Sequence, residues 1–211
     1  DHRDLHSFPT RRSSDLAAEE ELEEPLSQSL KKRVPWLIIL LMLGMIVSTV
    51  ISMFEKVIVG LPIIVTFQSV ILGMSGNVGT QSLAVTIRVL MDEELEFKQM
   101  LGFVFKEMRV GFFNGLIVGS ISFIFTGVFI WLVRGQQFMD AFAISGCIGV
   151  ALALAMLISS FVGAIIPIIL DKIGFDPAVA SGPLISTVSD LVAAVTYYGL
   201  AWVFLINILH L

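Results

Sequence analysis

Residues 181–209 read SGPLISTVSDLVAAVTYYGLAWVFLINIL, an apolar run with one carboxylate, Asp190, well inside it. The run is longer than the roughly 20 residues that a helix needs to cross a hydrocarbon core of about 30 Å. An ionised Asp in such a helix costs about 2.5 to 3.5 kcal/mol on insertion scales, so it normally faces protein or a water-filled path. Asp190 is therefore a functional candidate. The alternative is a packing role, with a hydrogen bond to a neighbouring helix.

One face of this predicted helix is small and polar, because residues three and four apart share a side of a helix. Bulky residues such as Leu184, Val188 and Leu191 lie largely off that face. We expect the bulky side to face lipid and the narrow side to face another helix or a lumen. The narrow side contains Ser186, Thr187, Asp190, Ala193, Ala194 and Tyr197.

The composition of the chain excludes a soluble domain. Of its 211 residues, 56% are hydrophobic and only 15% are charged, whereas soluble domains average about 25% charged residues. The net charge of −5 says little about partners, because eight of the acids precede Pro25. The single cysteine, Cys147, excludes an internal disulfide and a site with several cysteine ligands.

Five apolar segments are long enough to span a membrane, which predicts an all-α integral membrane protein with five transmembrane helices. Their approximate bounds are 34–54, 58–87, 110–133, 138–170 and 181–209. We assign residues 34–210 to this domain and residues 17–33 to an acidic, then basic, cytoplasmic linker. Residues 1–16 are polar and aperiodic and resemble a translated sequencing adapter, so we expect them to be non-native.

Basic residues predict the orientation, since short cytoplasmic loops are enriched in Lys and Arg. We expect a multi-pass protein of the inner cell membrane with a cytoplasmic N-terminus and an external C-terminus. The external side has only Lys56 and Arg134. The cytoplasmic side has Lys31, Lys32, Arg33, Arg88, Lys98, Lys106, Arg109 and Lys172.

The second segment contains another small and polar face, around the run GMSGNVGTQ at residues 73–81. Counted from the cytoplasmic ends of their segments, Asn77 and Asp190 both lie about 14 Å deep at a rise of about 1.5 Å per residue. Two polar faces at one depth predict one site. The face of the second segment consists of Gly73, Gly76, Asn77, Thr80, Gln81 and Ala84. A third set, Gly111, Gly115 and Gly119, predicts a helix-packing face.

Catalysis is disfavoured, and we expect no enzyme activity. Ser75 lies in a Gly-x-Ser-Gly element like that of intramembrane serine proteases, but a nucleophile needs a base within reach. His210, the only histidine of the membrane region, lies at the opposite end. One buried acid excludes an aspartyl protease pair, and the chain has no His-Glu-x-x-His zinc pattern.

Transport fits the residue types better. Carboxylate, amide, hydroxyl and carbonyl oxygens suit hard cations such as Mg²⁺, Ca²⁺ or Mn²⁺. A two-fold dimer would place two Asp190 side chains around one axis. Our main hypothesis is a passive cation pathway; the alternatives are a proton-coupled secondary transporter of divalent cations and a non-conducting membrane scaffold. We expect no nucleic-acid partner.

Three stretches, in this order, resemble the membrane domain of the MgtE-type magnesium channels and transporters. They are GNVGTQ at residues 76–81, the stretch from Lys106 to Gly115, and the stretch from Asp176 to Asp190. The resemblance implies a homodimer of five-helix protomers in the lipid bilayer. It also implies Mg²⁺ as the transported ion, with a path at the subunit interface lined by the second and fifth helices.

The same resemblance implies roles for individual residues. Asp190 is the selectivity carboxylate, and Asn77, Gly73 and the Ser186 carbonyl lie near the ion. The pore-lining residues are Gly76, Thr80 and Thr187, and the acids of the cytoplasmic mouth are Glu107 and Asp176. From the sequence alone, Glu107 could equally pair with Lys106 or Arg109, and Asp176 could cap the turn before Pro177.

The chain departs from the family pattern in two respects. Ser69 replaces the usual proline and Ser75 the usual glycine, which affects the expected bend and width of the second segment. The cytosolic acidic domain and paired CBS modules of the family are absent from this sequence. We therefore expect either a truncated fragment or a stand-alone pore without magnesium feedback.

Overall fold

The computed structural model describes residues 25–92, 96–174 and 182–208. In these ranges the chain forms α1 (Leu26–Ser52), α2 (Glu55–Gly60), α3 (Ile63–Asp92), α4 (Phe97–Val133), α5 (Phe138–Lys172) and α6 (Gly182–Leu200), which a π-helical turn, Ala201–Ile208, continues. All but α2 are long and apolar enough to cross a membrane. The prediction of five transmembrane helices is confirmed. The predictions for residues 1–24 and for Asp176 lie outside the described ranges.

The predicted start of the second segment, at residue 58, is wrong. The short helix α2 ends at Gly60, and the long helix α3 begins only at Ile63. Pro62 lies at the break, and proline has no backbone N–H to donate to a preceding turn. From Ile63 onwards α3 continues to Asp92 as one helix, and Ser69 lies inside it.

Two other predicted starts are too late, because hydropathy marks only the part of a helix that lies in hydrocarbon. Helix α1 begins at Leu26 rather than at residue 34, and α4 begins at Phe97 rather than at residue 110. A capping box fixes the start of α4: the Glu96 side chain accepts from the Gln99 backbone, and Gln99 Oε1 accepts from the Glu96 N–H at 2.8 Å.

Helix α5 is the centre of the bundle, and α3, α4 and α6 all pack against it. Half of the most apolar stretch of α5 is buried inside the bundle, whereas none of the most apolar stretch of α1 is. Val47 is the buried residue of α1, which contacts α6. The apolar side chains of α1 are therefore available to lipid.

Glycines bring the backbones of neighbouring helices into contact. A Cβ at Gly115 would lie 2.7 Å from the Ala153 carbonyl oxygen, and one at Gly119 would lie 2.6 Å from that of Gly149. The predicted packing face of α4 is thus confirmed as its contact with α5. Helices α3 and α5 cross in the same way, since a Cβ at Gly163 would collide with the carbonyl of Gly79. This crossing holds the polar part of α3 close to α5 and α6.

Candidate metal-ion pathway

Asp190 lies in the middle of α6, is half-buried, and faces Gly76 of α3. A Cβ at Gly76 would lie 3.7 Å from Asp190 Oδ1 and 2.7 Å from Ser186 Oγ. The absence of a side chain at Gly76 therefore makes room for both groups. The structure brings Gly76, Ser186 and Asp190 together at one level of the bundle.

Much of the polar face of α3 is uncovered in the single chain. Gly73 and Asn77 are exposed, as are Gln81 and Ala84, while Thr80 is half-buried. Gly76, at the edge of this face, is buried against α6. One side of the face thus meets Asp190, and the other side is open.

Two threonines, Thr80 in this face of α3 and Thr187 in α6, donate to the backbones of their own helices. Thr80 Oγ1 lies 3.0 Å from the Gly76 carbonyl oxygen and 2.9 Å from that of Asn77. Thr187 Oγ1 donates to the Pro183 carbonyl at 2.8 Å. A hydroxyl has one proton and two lone pairs, so each oxygen retains capacity to accept a hydrogen bond. Both residues can therefore receive a hydrogen bond from water.

The far part of the α6 face has a structural role. Ala193, Ala194 and Tyr197 are fully buried. The Tyr197 hydroxyl donates to the Ile64 carbonyl at 2.7 Å, and the Tyr198 hydroxyl donates to Gln68 Oε1. These bonds fix α6 relative to α3. The predicted narrow side of α6 thus packs on a helix at one end and approaches the open face of α3 at Asp190.

Ser75 belongs to a hydrogen-bonded junction of three helices that the sequence did not predict. Its hydroxyl donates to the Ser189 carbonyl of α6 at 3.2 Å and lies 2.5 Å from Ser159 Oγ of α5. All three serines are buried. Because Ser75 adjoins Gly76 and Ser189 adjoins Asp190, the junction positions the two residues that face each other. In the described part of the chain, the partners of Ser75 are thus a hydroxyl and a carbonyl, and neither is a base.

The suggested pairing of Glu107 with Lys106 or Arg109 is wrong. Only 6% of the Glu107 surface is exposed, and within the described ranges its carboxylate forms no hydrogen bond or ion pair. Lys106 and Arg109 are both exposed. Glu107 lies one turn before Gly111, where α4 packs on α5, whereas Asp190 faces α3. The structure therefore does not bring Glu107 to the Asp190 site.

The donor set favours a cation that keeps its water. In the three described ranges, no group of three or more His, Cys, Asp or Glu side chains is placed to hold a metal ion. Within one chain, the oxygen that lies with Asp190 beside Gly76 is the neutral hydroxyl of Ser186. Mg²⁺ sheds its water reluctantly and is commonly held by one or two carboxylates. This arrangement suits a hydrated divalent ion contacted through its water ligands.

The polar face and Asp190 lie within a region shared with known proteins. A model of the MgtE family, described as a divalent cation transporter, matches residues 68–200. The chain belongs to the MgtE family. The match extends from α3 through α6 and includes every predicted site residue. The resemblance found in three short stretches is thereby confirmed, and the chain is a multi-pass membrane protein.

Three relatives in the MgtE family are named magnesium transporter MgtE. The protein of Enterococcus faecalis is 37% identical over 187 residues, which are 89% of this chain and 39% of that protein. That of Bacillus subtilis is 38% identical over 174 residues, 82% of this chain and 37% of its own length. That of Thermus thermophilus is 34% identical over 169 residues, which are 80% of this chain and 35% of that protein. The chain thus spans less than two fifths of the length of each relative.

Proposed function

We propose that this chain forms a pathway for Mg²⁺ across the membrane, walled by the open face of α3 and by Asp190 of α6. The observation that supports this most is a polar face, with Asn77 at its centre, left uncovered on a membrane-spanning helix beside a half-buried carboxylate. Such groups in a membrane span normally face protein or water. The names of the three relatives support magnesium as the ion.

A homodimer accounts for the uncovered face. Asn77 and Gln81 carry exposed amides in a membrane span, and a buried polar group without a partner costs several kcal/mol in hydrocarbon. A second copy related by a two-fold axis would cover the face with an identical one. Two Asp190 carboxylates would then act on one ion. Their combined charge would match that of a divalent cation.

Each residue of the site then has a distinct task. Asp190 supplies the charge that draws the cation into the membrane. The Asn77 amide oxygen and the backbone carbonyls of Gly73 and Ser186 accept hydrogen bonds from the water around the ion. The lone pairs of Thr80 and Thr187 do the same, since their protons are already donated to the backbone. Gly76 keeps the path wide at Asp190, and Glu107 and Asp176 serve the cytoplasmic mouth.

The driving force is the ion gradient together with the membrane potential. With the N-terminus in the cytoplasm of a cell whose interior is negative, the potential contributes about 2.3 kcal/mol per elementary charge per 100 mV. A divalent cation gains twice that amount on entry. The alternative is a proton-coupled transporter, since a half-buried carboxylate can carry a proton as well as face a cation.

Substitution of Asp190 tests the site. In liposomes loaded with a fluorescent magnesium indicator, we expect Asp190→Asn to reduce uptake at least about tenfold, which corresponds to about 1.4 kcal/mol. Glu55→Gln is the matched control, because it removes an exposed carboxylate at the start of α2, away from the site. Uptake by Asp190→Asn at the wild-type rate would refute the assignment.

Currents separate the channel from the coupled transporter. In a planar bilayer with a magnesium gradient and equal pH on both sides, a passive pathway conducts at a reversal potential set by Mg²⁺ alone. A proton-coupled transporter shifts its reversal potential when the pH of one side is changed. A shift of that kind would replace the passive mechanism with the alternative.

A further inference from the structure

A polar cavity lies at the end of the bundle opposite the end where most of the basic residues lie. Its volume is about 690 Å³, and it is bounded by the start of α3, the end of α4 and the start of α5. Six waters at about 30 Å³ each occupy roughly 180 Å³, so a fully hydrated ion fits inside. The lining residues with polar side chains are Thr66, Arg134, Gln136 and Asp140.

Two opposite charges line this cavity without pairing to each other. Arg134 donates from Nη2 to Thr66 Oγ1 at 3.3 Å, which ties the end of α4 to α3. Asp140, in the first turn of α5, is half-buried and forms no hydrogen bond or ion pair with any part of the chain that the structure describes. The carboxylate is thus available to a cation, whereas the guanidinium already has a partner.

The cavity adjoins the polar face of α3. Thr66 precedes Gly73 by seven residues and Asn77 by eleven, which are about two and three helical turns, so all three lie on one side of α3. All three are exposed. Along the helix, Thr66 is about 16 Å from Asn77 at a rise of about 1.5 Å per residue. An ion leaving the cavity along this side of α3 would arrive at the level of Asp190.

We propose that this cavity is an outer chamber that binds a hydrated divalent cation before it enters the membrane. Asp140 attracts the ion, and the oxygens of Gln136 and Thr66 accept hydrogen bonds from its water. Arg134, held in place by Thr66, places a positive charge in the chamber that limits how long the ion stays. The chamber rests on the proposed function and on the orientation that puts this end outside the cell.

The kinetics of uptake test the two charges. In water, a unit charge about 8 Å from a divalent ion changes the binding free energy of the ion by about 1 kcal/mol. Removing that charge therefore changes the affinity for the ion about fivefold. Arg134→Gln should therefore lower the external Mg²⁺ concentration for half-maximal uptake about fivefold, and Asp140→Asn should raise it by a similar factor. At about 1 M salt, where the Debye length is about 3 Å, both shifts should largely vanish.

Lys56→Gln is the matched control for Arg134→Gln. It removes one positive charge at the same end of the bundle, but Lys56 is exposed and does not line the cavity. Little change in Lys56→Gln would support a local effect within the chamber. An equal shift in Lys56→Gln and Arg134→Gln would show a general surface potential and would overturn the proposal.

Binding of Mn²⁺ to the purified protein separates the chamber from the Asp190 site. Electron paramagnetic resonance of free Mn²⁺ should reveal two classes of site, one lost in Asp140→Asn and the other in Asp190→Asn. Retention of all binding in Asp140→Asn, with loss in Asp190→Asn, would overturn the chamber and leave the proposed function standing. The reverse result would keep the chamber and remove Asp190 from the pathway. Binding of inorganic phosphate that is lost in Arg134→Gln would identify an anion site and also overturn the chamber.

Discussion

Gly76→Ala tests whether the close approach of α3 to Asp190 is needed for transport. The new Cβ would lie 2.7 Å from Ser186 Oγ, whereas ordinary van der Waals contact begins at 3.4 Å. Ser186 must therefore give way by about 0.7 Å, through rotation of its hydroxyl or displacement of α6. At 3.7 Å the Cβ also comes into contact with Asp190 Oδ1. Both changes act where the ion is expected to pass.

The free energy of unfolding should change little. Alanine is favoured over glycine by about 1 kcal/mol in a helix interior, and overpacking typically costs about 1 to 3 kcal/mol. Because the Ser186 hydroxyl can rotate, we expect a cost near the lower end, so that the two effects largely cancel. Transport has no such compensation. A misfit of about 1.4 kcal/mol at the ion corresponds to about tenfold slower uptake.

The two quantities are measured on the same preparation, by thermal unfolding in detergent and by magnesium uptake into liposomes. Gly102→Ala is the control, because Gly102 is exposed near the start of α4 and no atom lies within 4 Å of its added Cβ. It should leave uptake unchanged. Wild-type uptake by Gly76→Ala would refute the need for a close approach at Asp190. A loss of uptake matched by an equal loss of folded protein would refute it as well.

Two further predictions concern stability. Gly163→Ala should lower the free energy of unfolding by about 2 kcal/mol or more, because its Cβ meets the Gly79 backbone, which cannot rotate away; an unchanged unfolding temperature in detergent would contradict this. Ser75→Ala should destabilise the protein by about 1 kcal/mol, because it removes the hydrogen bonds to Ser159 and to the Ser189 carbonyl. Thermal unfolding measures that loss, and Ser75→Gly should restore none of it.

The number of spans could be predicted from the sequence, because the hydropathy of a membrane helix is a local property. The helix ends could not, since α4 extends thirteen residues beyond its predicted start at residue 110. Those residues are stabilised by a capping box at Glu96 and by burial of Met100 and Val104 against α5. The break at Pro62 was visible in the sequence, but hydropathy continues across it.

The sequence predicts which residues share one face of a helix, but it does not predict which other helix that face contacts. The spacing of Gly115 and Gly119 indicates a packing face without naming its partner, α5. Counting residues from the segment ends placed Asn77 and Asp190 at one depth, and the structure has Gly76, next to Asn77, facing Asp190. The Ser75 junction joins residues 84 and 114 positions apart, and no local pattern indicates which of the many serines meet.

The junction explains how this chain uses a serine at position 75, where the family pattern has a glycine. A glycine at position 75 would remove the hydroxyl that links α3 to Ser159 of α5. The serine thus adds a hydrogen bond between two helices whose backbones already meet at Gly79 and Gly163. Hydrogen bonds between membrane helices are worth about 0.6 to 2 kcal/mol each. Since the Ser75 hydroxyl points to α5 and α6, the extra atoms occupy the buried side of α3 and leave its open side unchanged. We therefore expect Ser75 to leave the width of the proposed path beside Asn77 unchanged.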